Sequence, residues 1–295
     1  MSETWTVLGL ILWSAEYLAD RGVDNGRLNA EHLLSHALGT TRLQLYLQFD
    51  RPLDAGELAT FKPFLLRRAR REPLQYVTGR AAFRELELEV DQRVLIPRPE
   101  TEVLVEAVLQ WARLGVNGRS PRGAELDGMD LGTGSGCIAL SLLAEGPFRR
   151  MVATDASADA LAVATENACH AGLAGRLETR LGPLWEPVAS GERFDVVASN
   201  PPYVADAEAV KLEPEVRDWE PALALFAGTD GLDVLDAIVD GAGQRLRPGG
   251  LLALEVGLGQ ADVVAKRMRV SGGFGEPRIL RDLTGRQRIV LAEQG

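Results

Sequence analysis

The segment Asn200-Pro201-Pro202-Tyr203 combines residue types that can hold a planar nitrogen group. It follows the apolar run Phe194–Ala198, which predicts a short buried strand. Because both prolines lack a backbone N–H and fix φ, we expect a stiff loop at the carboxyl end of that strand, where open α/β sheets bind ligands. An amide, free carbonyls and an aromatic ring suit the binding of a carboxamide or amine better than hydrolysis. A rigid turn with a packed tyrosine is the purely structural alternative.

The segment Gly132-Thr133-Gly134-Ser135-Gly136 is a second place where a ligand could bind. It lies between a predicted strand, Leu126–Leu131, and a helical run, Ile138–Leu143, and its glycines let the backbone turn sharply and approach a ligand. The Gly-x-Gly-x-Gly spacing differs from that of dinucleotide sites, and the sequence lacks the Gly-Lys-Ser/Thr of triphosphate loops. Both of those ligand classes are therefore disfavoured.

An acidic residue, Asp155, follows the next predicted strand, Met151–Thr154. An acid at this position can accept hydrogen bonds from both hydroxyls of a ribose, although it could instead cap the following helix. Together with the glycine segment and the later amide loop, it predicts a site for S-adenosylmethionine. We expect Asp130 to hydrogen-bond the glycine loop and Cys137 to pack as a small apolar residue.

The composition limits the class of protein. The chain has 295 residues, of which 46% are hydrophobic and 25% charged, and its formal charge is -10. This acidic balance argues against broad nucleic-acid binding, which needs a cationic surface. Cys137 and Cys169 are too few for a disulfide scaffold. Without a signal pattern or an apolar run of about 20 residues, we expect a cytoplasmic protein that does not span a membrane.

Strands and helices alternate from about residue 125 onward, which predicts an α/β fold with a doubly wound, mostly parallel seven-stranded sheet. Helical stretches include Ala158–His170 and Leu232–Arg245. The predicted strands are Leu126–Leu131, Met151–Thr154, Leu177–Leu181, Phe194–Ala198, Leu251–Val256, Arg278–Arg281 and Arg288–Leu291. A surface loop is expected at 114–123, where Gly, Arg and Pro are frequent.

The chain before this region divides into two parts. Residues 1–80 carry apolar residues at helical spacing, which predicts a bundle of three or four helices, one of them capped by Asp54 and Glu57. In residues 81–97 the period changes to two, which predicts a β-hairpin linker that turns at Asp91-Gln92 into a strand at Val94–Ile96. Residues 98–295 would then form the catalytic domain.

Two features of the N-terminal part have competing interpretations. The basic run at 67–71 could contact an acidic partner or RNA, but a solvated helix end is the favoured interpretation. His32 and His36 have the spacing of a metal pair. Because no third ligand lies at a suggestive spacing, we interpret both histidines as structural.

From about residue 67 to the C-terminus the sequence resembles the release factor glutamine methyltransferase family. The most specific match is Leu95–Glu102, with the sequence Leu-Ile-Pro-Arg-Pro-Glu-Thr-Glu. The sequence departs from the family pattern at Gly128 and at the 114–123 loop. The other matching segments are Glu72–Gly79, Asp130–Gly136, Ser199–Tyr203, Glu220–Leu223, Asp230–Leu232 and Asp282–Gly285.

The resemblance implies methylation of the glutamine amide in the Gly-Gly-Gln loop of bacterial peptide chain release factors. The N-terminal bundle would then recognise the release factor, and we expect a monomer that needs no nucleic acid. The catalytic residues implied are Asn200, Pro201 and Tyr203, and the substrate-binding residues are these three with Pro202. The residues implied to bind S-adenosylmethionine are Gly132, Thr133, Gly134, Ser135, Gly136, Asp155, Trp185 and Asn200, with Trp185 beside the adenine.

Other functions fit parts of the same pattern. A ribosomal-protein glutamine methyltransferase would use the same chemistry, and a nucleic-acid adenine methyltransferase could hold an exocyclic amine in the same Asn-Pro-Pro-Tyr loop. The acidic charge and the lack of a further target-recognition segment disfavour the second. For Trp185, a core or loop-anchoring role is the structural alternative.

Overall fold

The computed structural model describes residues 5–114 and 125–295. The chain forms two compact units, the first comprising Met1–Arg80 with Glu213–Trp219, the second Ala81–Leu212 with Glu220–Gly295. Within the described residues, no helix has both the length and the apolar character required to cross a membrane. Except for Leu114, the predicted 114–123 loop lies outside the described residues.

Residues 5–80 of the first unit form a small helical bundle around its own apolar core. The predicted capping box is confirmed, since Asp54 accepts from the Glu57 N–H at 2.9 Å and Glu57 accepts from the Asp54 N–H at 3.0 Å. The helices are α1 Val7–Ala19, α2 Gly26–Ala37, α3 Arg42–Tyr46, α4 Ala55–Arg68 and α5 Leu74–Thr78, one or two more than predicted.

The basic run at the end of α4 pairs inside the first unit. Arg67 Nε donates to Glu72 at 2.9 Å, while Arg68 is buried and donates to Asn29 at 2.8 Å and to Glu215 at 2.9 Å. Arg71 also donates to Glu215, at 2.7 Å from its Nε. The interpretation of this run as a solvated face was therefore wrong for these three arginines. Their charges are used within the unit, which also leaves little for an acidic partner or RNA.

The histidine pair on α2 has no metal-binding surroundings. His36 packs edge-on against Phe64 with ring centroids 4.8 Å apart. In residues 5–114 and 125–295, no cluster of His, Cys, Asp and Glu could hold a metal ion. The packing of His36 against Phe64 agrees with a structural role, and the interpretation of both histidines as structural stays a prediction.

The predicted hairpin exists, but its turn lies earlier in the chain. Strands β1 (Arg80–Phe83) and β2 (Leu86–Glu89) form a two-stranded sheet, so the turn is at residues 84–85. Arg84 takes a left-handed φ of 50°, and its guanidinium donates to Glu145 at 2.8 Å, which holds the turn. Val94–Ile96 is not a strand, because the chain turns at residues 92–94, where the Val94 N–H donates to the Asp91 carbonyl at 3.1 Å, although Val94 and Ile96 are buried.

The second unit contains a seven-stranded sheet with the strand order β5-β4-β3-β6-β7-β9-β8. Neighbours from β5 to β7 are parallel, and β9 is antiparallel to both β7 and β8. The predicted fold class is thus confirmed. The strands are β3 Leu126–Leu131, β4 Phe148–Asp155, β5 Leu177–Leu181, β6 Phe194–Ser199, β7 Leu246–Glu255, β8 Arg278–Arg281 and β9 Gln287–Glu293.

Helices cover both faces of this sheet and bury two apolar clusters. Residues of α6 and α7 line one cluster, and residues of α10 and α11 line the other. The helices are α6 Pro99–Leu114, α7 Cys137–Glu145, α8 Ala158–His170, α9 Pro214–Arg217 (in the first unit), α10 Asp233–Arg245 and α11 Ala261–Ser271, with 3-10 turns at Ala174–Arg176, Asp206–Lys211 and Ala222–Ala224.

The strand order reverses between β3 and β6. This reversal creates a crevice at the carboxyl ends of the two strands, where ligands bind in open α/β sheets. Gly128, which departs from the family pattern, lies in β3 facing Met151 of β4. A Cβ at Gly128 would lie 2.3 Å from the Met151 sulfur, so close side-chain packing explains the glycine.

Candidate active site

The two predicted ligand loops begin side by side at this crevice. Ser199 Oγ, at the end of β6, donates to the carbonyl of Leu131, at the end of β3, at 2.6 Å. The glycine segment continues from Leu131 and the Asn-Pro-Pro-Tyr loop continues from Ser199. The structure therefore brings together the two segments that the sequence places about 70 residues apart, as expected for adjacent strands at a switch point.

The glycine loop, residues 132–136, leaves its backbone accessible to a ligand. Gly132, Gly134 and Gly136 have φ of 68°, 54° and 83°, values that favour glycine. The N–H groups of Gly132 and Thr133 both donate to the Thr154 carbonyl at 2.9 Å, which holds the loop against β4. A Cβ at Gly132 or Gly134 would meet no atom within 4 Å, so there is room above both glycines.

Asp130 supports this loop from below, as predicted. Its Oδ2 accepts from Thr133 Oγ1 at 2.7 Å and from the Ala139 N–H at 3.2 Å. Its Oδ1 is buried without a hydrogen-bond partner in the described residues. Burial raises the pKa of Asp130 to about 7. Cys137 packs against the apolar core beside it, as expected.

Asp155 connects the end of β4 to the glycine loop. One carboxylate oxygen accepts from the Gly134 N–H at 2.9 Å, and the other accepts from the Ser157 N–H at 2.9 Å. The alternative role of Asp155 as helix cap was wrong, since α8 is capped by Ser157, whose hydroxyl accepts from the Ala160 N–H at 3.1 Å. The half-buried carboxylate keeps lone pairs for further donors.

Trp185 lies against α10. Its indole N–H donates to the Ala237 carbonyl at 3.0 Å, and a Cβ at Gly241 would lie 2.2 Å from the same nitrogen. These contacts are those of the loop-anchoring role that the sequence also allowed. The position of Trp185 beside an adenine stays a prediction.

The Asn200 side chain is held by two residues that the sequence reasoning missed, Thr101 and Glu255. Asn200 Nδ2 donates to Thr101 Oγ1 at 3.0 Å, and Thr101 Oγ1 donates to Glu255 Oε2 at 2.7 Å. The Tyr203 hydroxyl donates to the other Glu255 oxygen at 3.4 Å. Asn200 Oδ1 makes no hydrogen bond within the described residues, so the amide oxygen is available as an acceptor.

A signal for both missed residues was present in the sequence. Thr101 belongs to the specific Leu95–Glu102 segment, and Glu255 is an acid at the carboxyl end of a predicted strand. Both are 1% exposed. Burial raises the pKa of Glu255 to about 7.

Gln260, at the start of α11, joins three loops beneath Tyr203. Its Nε2 donates to the carbonyls of Tyr203 at 3.1 Å and of Gly231 at 3.2 Å, and its Oε1 accepts from the Gly257 N–H at 2.8 Å. Gly231 has φ of 74°, and a Cβ there would lie 2.3 Å from the Tyr203 carbonyl oxygen. The Asp230–Leu232 segment is therefore a support for the aromatic residue of the loop.

Replacing Gly231 with alanine is expected to displace the Tyr203 carbonyl and to destabilise the fold by about 2–4 kcal/mol, combining backbone strain with overlap. Gly259 is a matched control, because it has φ of 83° but a Cβ there would meet nothing within 4 Å. Urea unfolding of Gly231→Ala and Gly259→Ala measures the difference. Equal destabilisation of the two variants would contradict the packing account.

Two further segments of the resemblance, Glu220–Leu223 and Asp282–Gly285, form ion pairs near the site. Arg98 donates to the buried Glu220 at 2.5 Å, which ties the segment before α6 to the Glu220–Leu223 segment. The Arg288 guanidinium lies 5.9 Å from the Tyr203 ring centroid and 3.8 Å from an Asp282 oxygen. These ion pairs join segments on either side of the loop that bears Asn200 and Tyr203.

Solved structures of methyltransferases share the fold of much of the chain. The catalytic domain of hMettl16, in complex with MAT2A 3'UTR hairpin 1, matches with a TM-score of 0.56 at 20% identity, covering 78% of this chain and 80% of that chain. The Thermus thermophilus 16S rRNA N2 G1207 methyltransferase, in complex with AdoMet and guanosine, matches with a TM-score of 0.50 at 20% identity, covering 73% and 50%. At this identity the likeness shows the fold alone.

Sequence comparisons identify both parts of the chain. Residues 10–79 match the model of the PrmC N-terminal domain, and residues 120–214 match that of the methyltransferase small domain. The expectation that the specific similarity begins near residue 67 was therefore wrong. Divergent apolar positions of a helical bundle carry no short motif by which such a match could be seen in one sequence.

Two relatives that match over nearly their whole length carry the same name. The release factor glutamine methyltransferase of Geobacter sulfurreducens is 43% identical over 98% of this chain and 96% of its own length. That of Cereibacter sphaeroides is 44% identical over 93% of this chain and 94% of its own length. With this identity over nearly the whole of each protein, the chain belongs to the release factor glutamine methyltransferase family.

Proposed function

We propose that the protein methylates the side-chain amide nitrogen of the glutamine in the Gly-Gly-Gln loop of bacterial peptide chain release factors. The observation that carries the proposal is the Asn200 carboxamide. Its nitrogen is occupied by Thr101 at 3.0 Å, so its oxygen is left to accept from an incoming amide. The loop after β6 that bears it starts beside the glycine loop. The names of the full-length relatives support the same acceptor.

The residues present fit S-adenosylmethionine as the methyl donor. The open backbone from Gly132 to Gly136 would hold it, the Asp155 carboxylate would accept from its ribose, and the unpaired Asp130 Oδ1 offers a further acceptor at the loop. We also assign contacts to Trp185, at the adenine, and to Asn200. When bound, this cofactor supplies a methyl group made electrophilic by a positively charged sulfur.

The contribution of the chain to the reaction is to place and polarise the acceptor amide. An amide nitrogen is a poor nucleophile because its lone pair is delocalised into the carbonyl. If Asn200 Oδ1 and the Pro201 carbonyl each accept one N–H, the plane of the amide is fixed and electron density on the nitrogen rises. Tyr203 can stack on the flat face of the amide and exclude water, with Pro202 keeping the loop stiff.

Two exposed leucines lie in loops near this site and form what we call its rim, which favours a protein acceptor over a polyanion. Leu258 is 70% exposed and follows Gly257, where a Cβ would lie 3.2 Å from the Tyr203 ring. Leu283 is 91% exposed in the turn between β8 and β9 and follows Asp282, which lies 3.8 Å from Arg288. Exposed apolar residues around a site are typical of protein interfaces, whereas nucleic acid requires a cationic surface.

We also propose residues 1–80 as the substrate-recognition domain and residues 98–295 as the catalytic domain, joined by the 81–97 linker. The separate apolar core of the bundle supports this division. Leu47, on the bundle, is 77% exposed and could contact the release factor. The activity is proposed to need no nucleic acid and no second copy of the chain, which nuclease treatment and light scattering test.

Replacing Leu258 or Leu47 with serine is expected to raise the KM for the release factor about 3- to 10-fold, because each loses roughly 1 kcal/mol of apolar burial in the complex. The kcat and the Kd for S-adenosylmethionine should not change. Val270→Ser is the control, since Val270 is 72% exposed at the carboxyl end of α11. An unchanged KM for Leu258→Ser would show that the rim does not contact the release factor. An unchanged KM for Leu47→Ser would show the same for that part of the bundle.

The acceptor itself is tested with S-adenosylmethionine carrying a labelled methyl group. We expect label in purified release factor, and none in DNA or in a release factor whose loop glutamine is replaced. Label in ribosomal proteins instead would favour the second glutamine acceptor. Label in DNA would overturn the proposal and favour the adenine chemistry of related folds.

A further inference from the structure

We propose that Thr101 and Glu255 are positioning residues that determine which way the Asn200 carboxamide faces. Glu255 accepts a hydrogen bond from the Thr101 hydroxyl, so the Thr101 oxygen can only accept a hydrogen bond from Asn200 Nδ2. Asn200 Oδ1 is thereby turned toward the acceptor site. This inference rests on the proposed function and goes beyond it, because it names two residues that would never touch the substrate.

The fold places these three side chains together. Ser199 of β6 is opposite Leu254 of the parallel β7, so Asn200 and Glu255 are the next residues on neighbouring strands. Thr101 comes from the first turn of α6 and lies between them, 3.0 Å from Asn200 Nδ2 and 2.7 Å from Glu255 Oε2. The chain of hydrogen bonds is therefore continuous from the buried acid to the exposed end of the amide.

The ionised Glu255 determines which group donates and which accepts in the hydrogen bonds from Glu255 through Thr101 to Asn200. An ionised carboxylate can only accept, and a hydroxyl has a single proton to donate. Once the Thr101 hydroxyl donates to Glu255, its oxygen must accept, and only the NH2 end of Asn200 can donate to it. If Glu255 were protonated or replaced by glutamine, it could donate to Thr101, and Asn200 could then present its NH2 to the acceptor, where two donors would face each other.

The surroundings of Glu255 make a purely structural role a poor explanation. Its hydrogen-bond partners in the described part of the chain are the neutral hydroxyls of Thr101 and Tyr203, and it is 1% exposed. Burying a carboxylate without an ion pair is unfavourable, and a neutral residue would pack here at lower cost. A neutral residue would not enforce the direction of the hydrogen bonds.

The charged and titratable groups around Glu255 set the pH at which this control operates. Arg288 on β9 favours the ionised acid, whereas Glu100 in α6 opposes it, and Tyr203 and the Cys137 thiol on α7 are further titratable neighbours. Burial is the largest effect and raises the pKa of Glu255 to about 7. Since the ionised acid is the active form, kcat at saturating substrates should rise as the pH increases through about 7.

The first test separates the hydroxyl from the shape of the side chain. Thr101→Val is expected to lower kcat about 10- to 100-fold with the cofactor Kd unchanged, while Thr101→Ser, which keeps the hydroxyl, stays within about threefold of the wild type. Thr165→Val, at an exposed helix position, is the control for the substitution itself. In an Asn200→Ala background, Thr101→Val should cause no further loss. A full additional loss there, or an unaffected single variant, would overturn the proposal.

The second test does not depend on the acceptor. The side-chain amide resonances of Asn200, followed by NMR from about pH 6 to about pH 8.5, should titrate with Glu255 in the wild type and not in Glu255→Gln or Thr101→Val. The kcat of Glu255→Gln should likewise lose the rise near neutral pH. If release factor is not methylated but the resonances titrate as expected, the proposed function fails and the positioning role stands. If release factor is methylated but the resonances do not respond, the positioning role fails.

Discussion

An Asn200→Ala variant is expected to transfer methyl groups to release factor about 100- to 1,000-fold more slowly than the wild type, the effect typical of removing one fixed polar group that supports a transition state. The alanine removes the acceptor oxygen for one amide N–H and leaves the Thr101 hydroxyl without its donor. Because the contacts proposed for the cofactor lie mainly in the glycine loop and at Asp155, its Kd should change by less than about threefold.

The measurement is kcat under saturating conditions, with the cofactor Kd and the midpoint of urea unfolding determined on the same preparation. A similar midpoint excludes a folding defect. If kcat and cofactor affinity fell by the same factor, Asn200 would be a cofactor residue and its role toward the acceptor would be wrong.

An Asp155→Ala variant is expected to show the opposite pattern. The cofactor Kd should rise about 10- to 100-fold, because a charged hydrogen-bond acceptor contributes roughly 1.5–3 kcal/mol. The change also frees the Gly134 and Ser157 N–H groups, which lie 2.9 Å from the carboxylate, so the glycine loop loses part of its support. At saturating cofactor, kcat should stay within about threefold of the wild type.

Isothermal calorimetry with S-adenosylmethionine and its demethylated product measures this Kd directly. Asp159→Ala is the matched control, since Asp159 is an exposed acid in the first turn of α8 only four residues away. An unchanged Kd for Asp155→Ala would contradict the assignment of Asp155 to the ribose.

Strand β6 and the carboxyl half of β7 were predictable because they are short apolar runs, and the alternation of strands with helices determines the class of sheet. The amino ends of β4 and β7 were placed too late. Both ends contain arginines, Arg149 and Arg247, which donate to the buried Asp127 of β3 at 2.7 Å and 3.0 Å. Ion pairs between strands hold these charged residues in the sheet, and a local apolar pattern cannot reveal such pairs.

The same limit applies to the active site. The two ligand loops and Asp155 were predictable, because glycine spacing, paired prolines and a strand-end acid are local signals. Thr101, Glu255 and Gln260 are separated from Asn200 or Tyr203 by dozens of residues and reach them only in the folded chain. The attachment of Glu213–Trp219 to the N-terminal unit was likewise invisible, since it depends on Glu215 pairing with arginines far earlier in the sequence.

A crystal structure of the protein with S-adenosylhomocysteine and a release factor tests the central claim most directly. The account predicts the loop glutamine beside Tyr203, with its amide nitrogen within hydrogen-bonding distance of both Asn200 Oδ1 and the Pro201 carbonyl oxygen. A glutamine nitrogen that contacts neither oxygen, or Asn200 turned so that its NH2 group faces the glutamine, would contradict it.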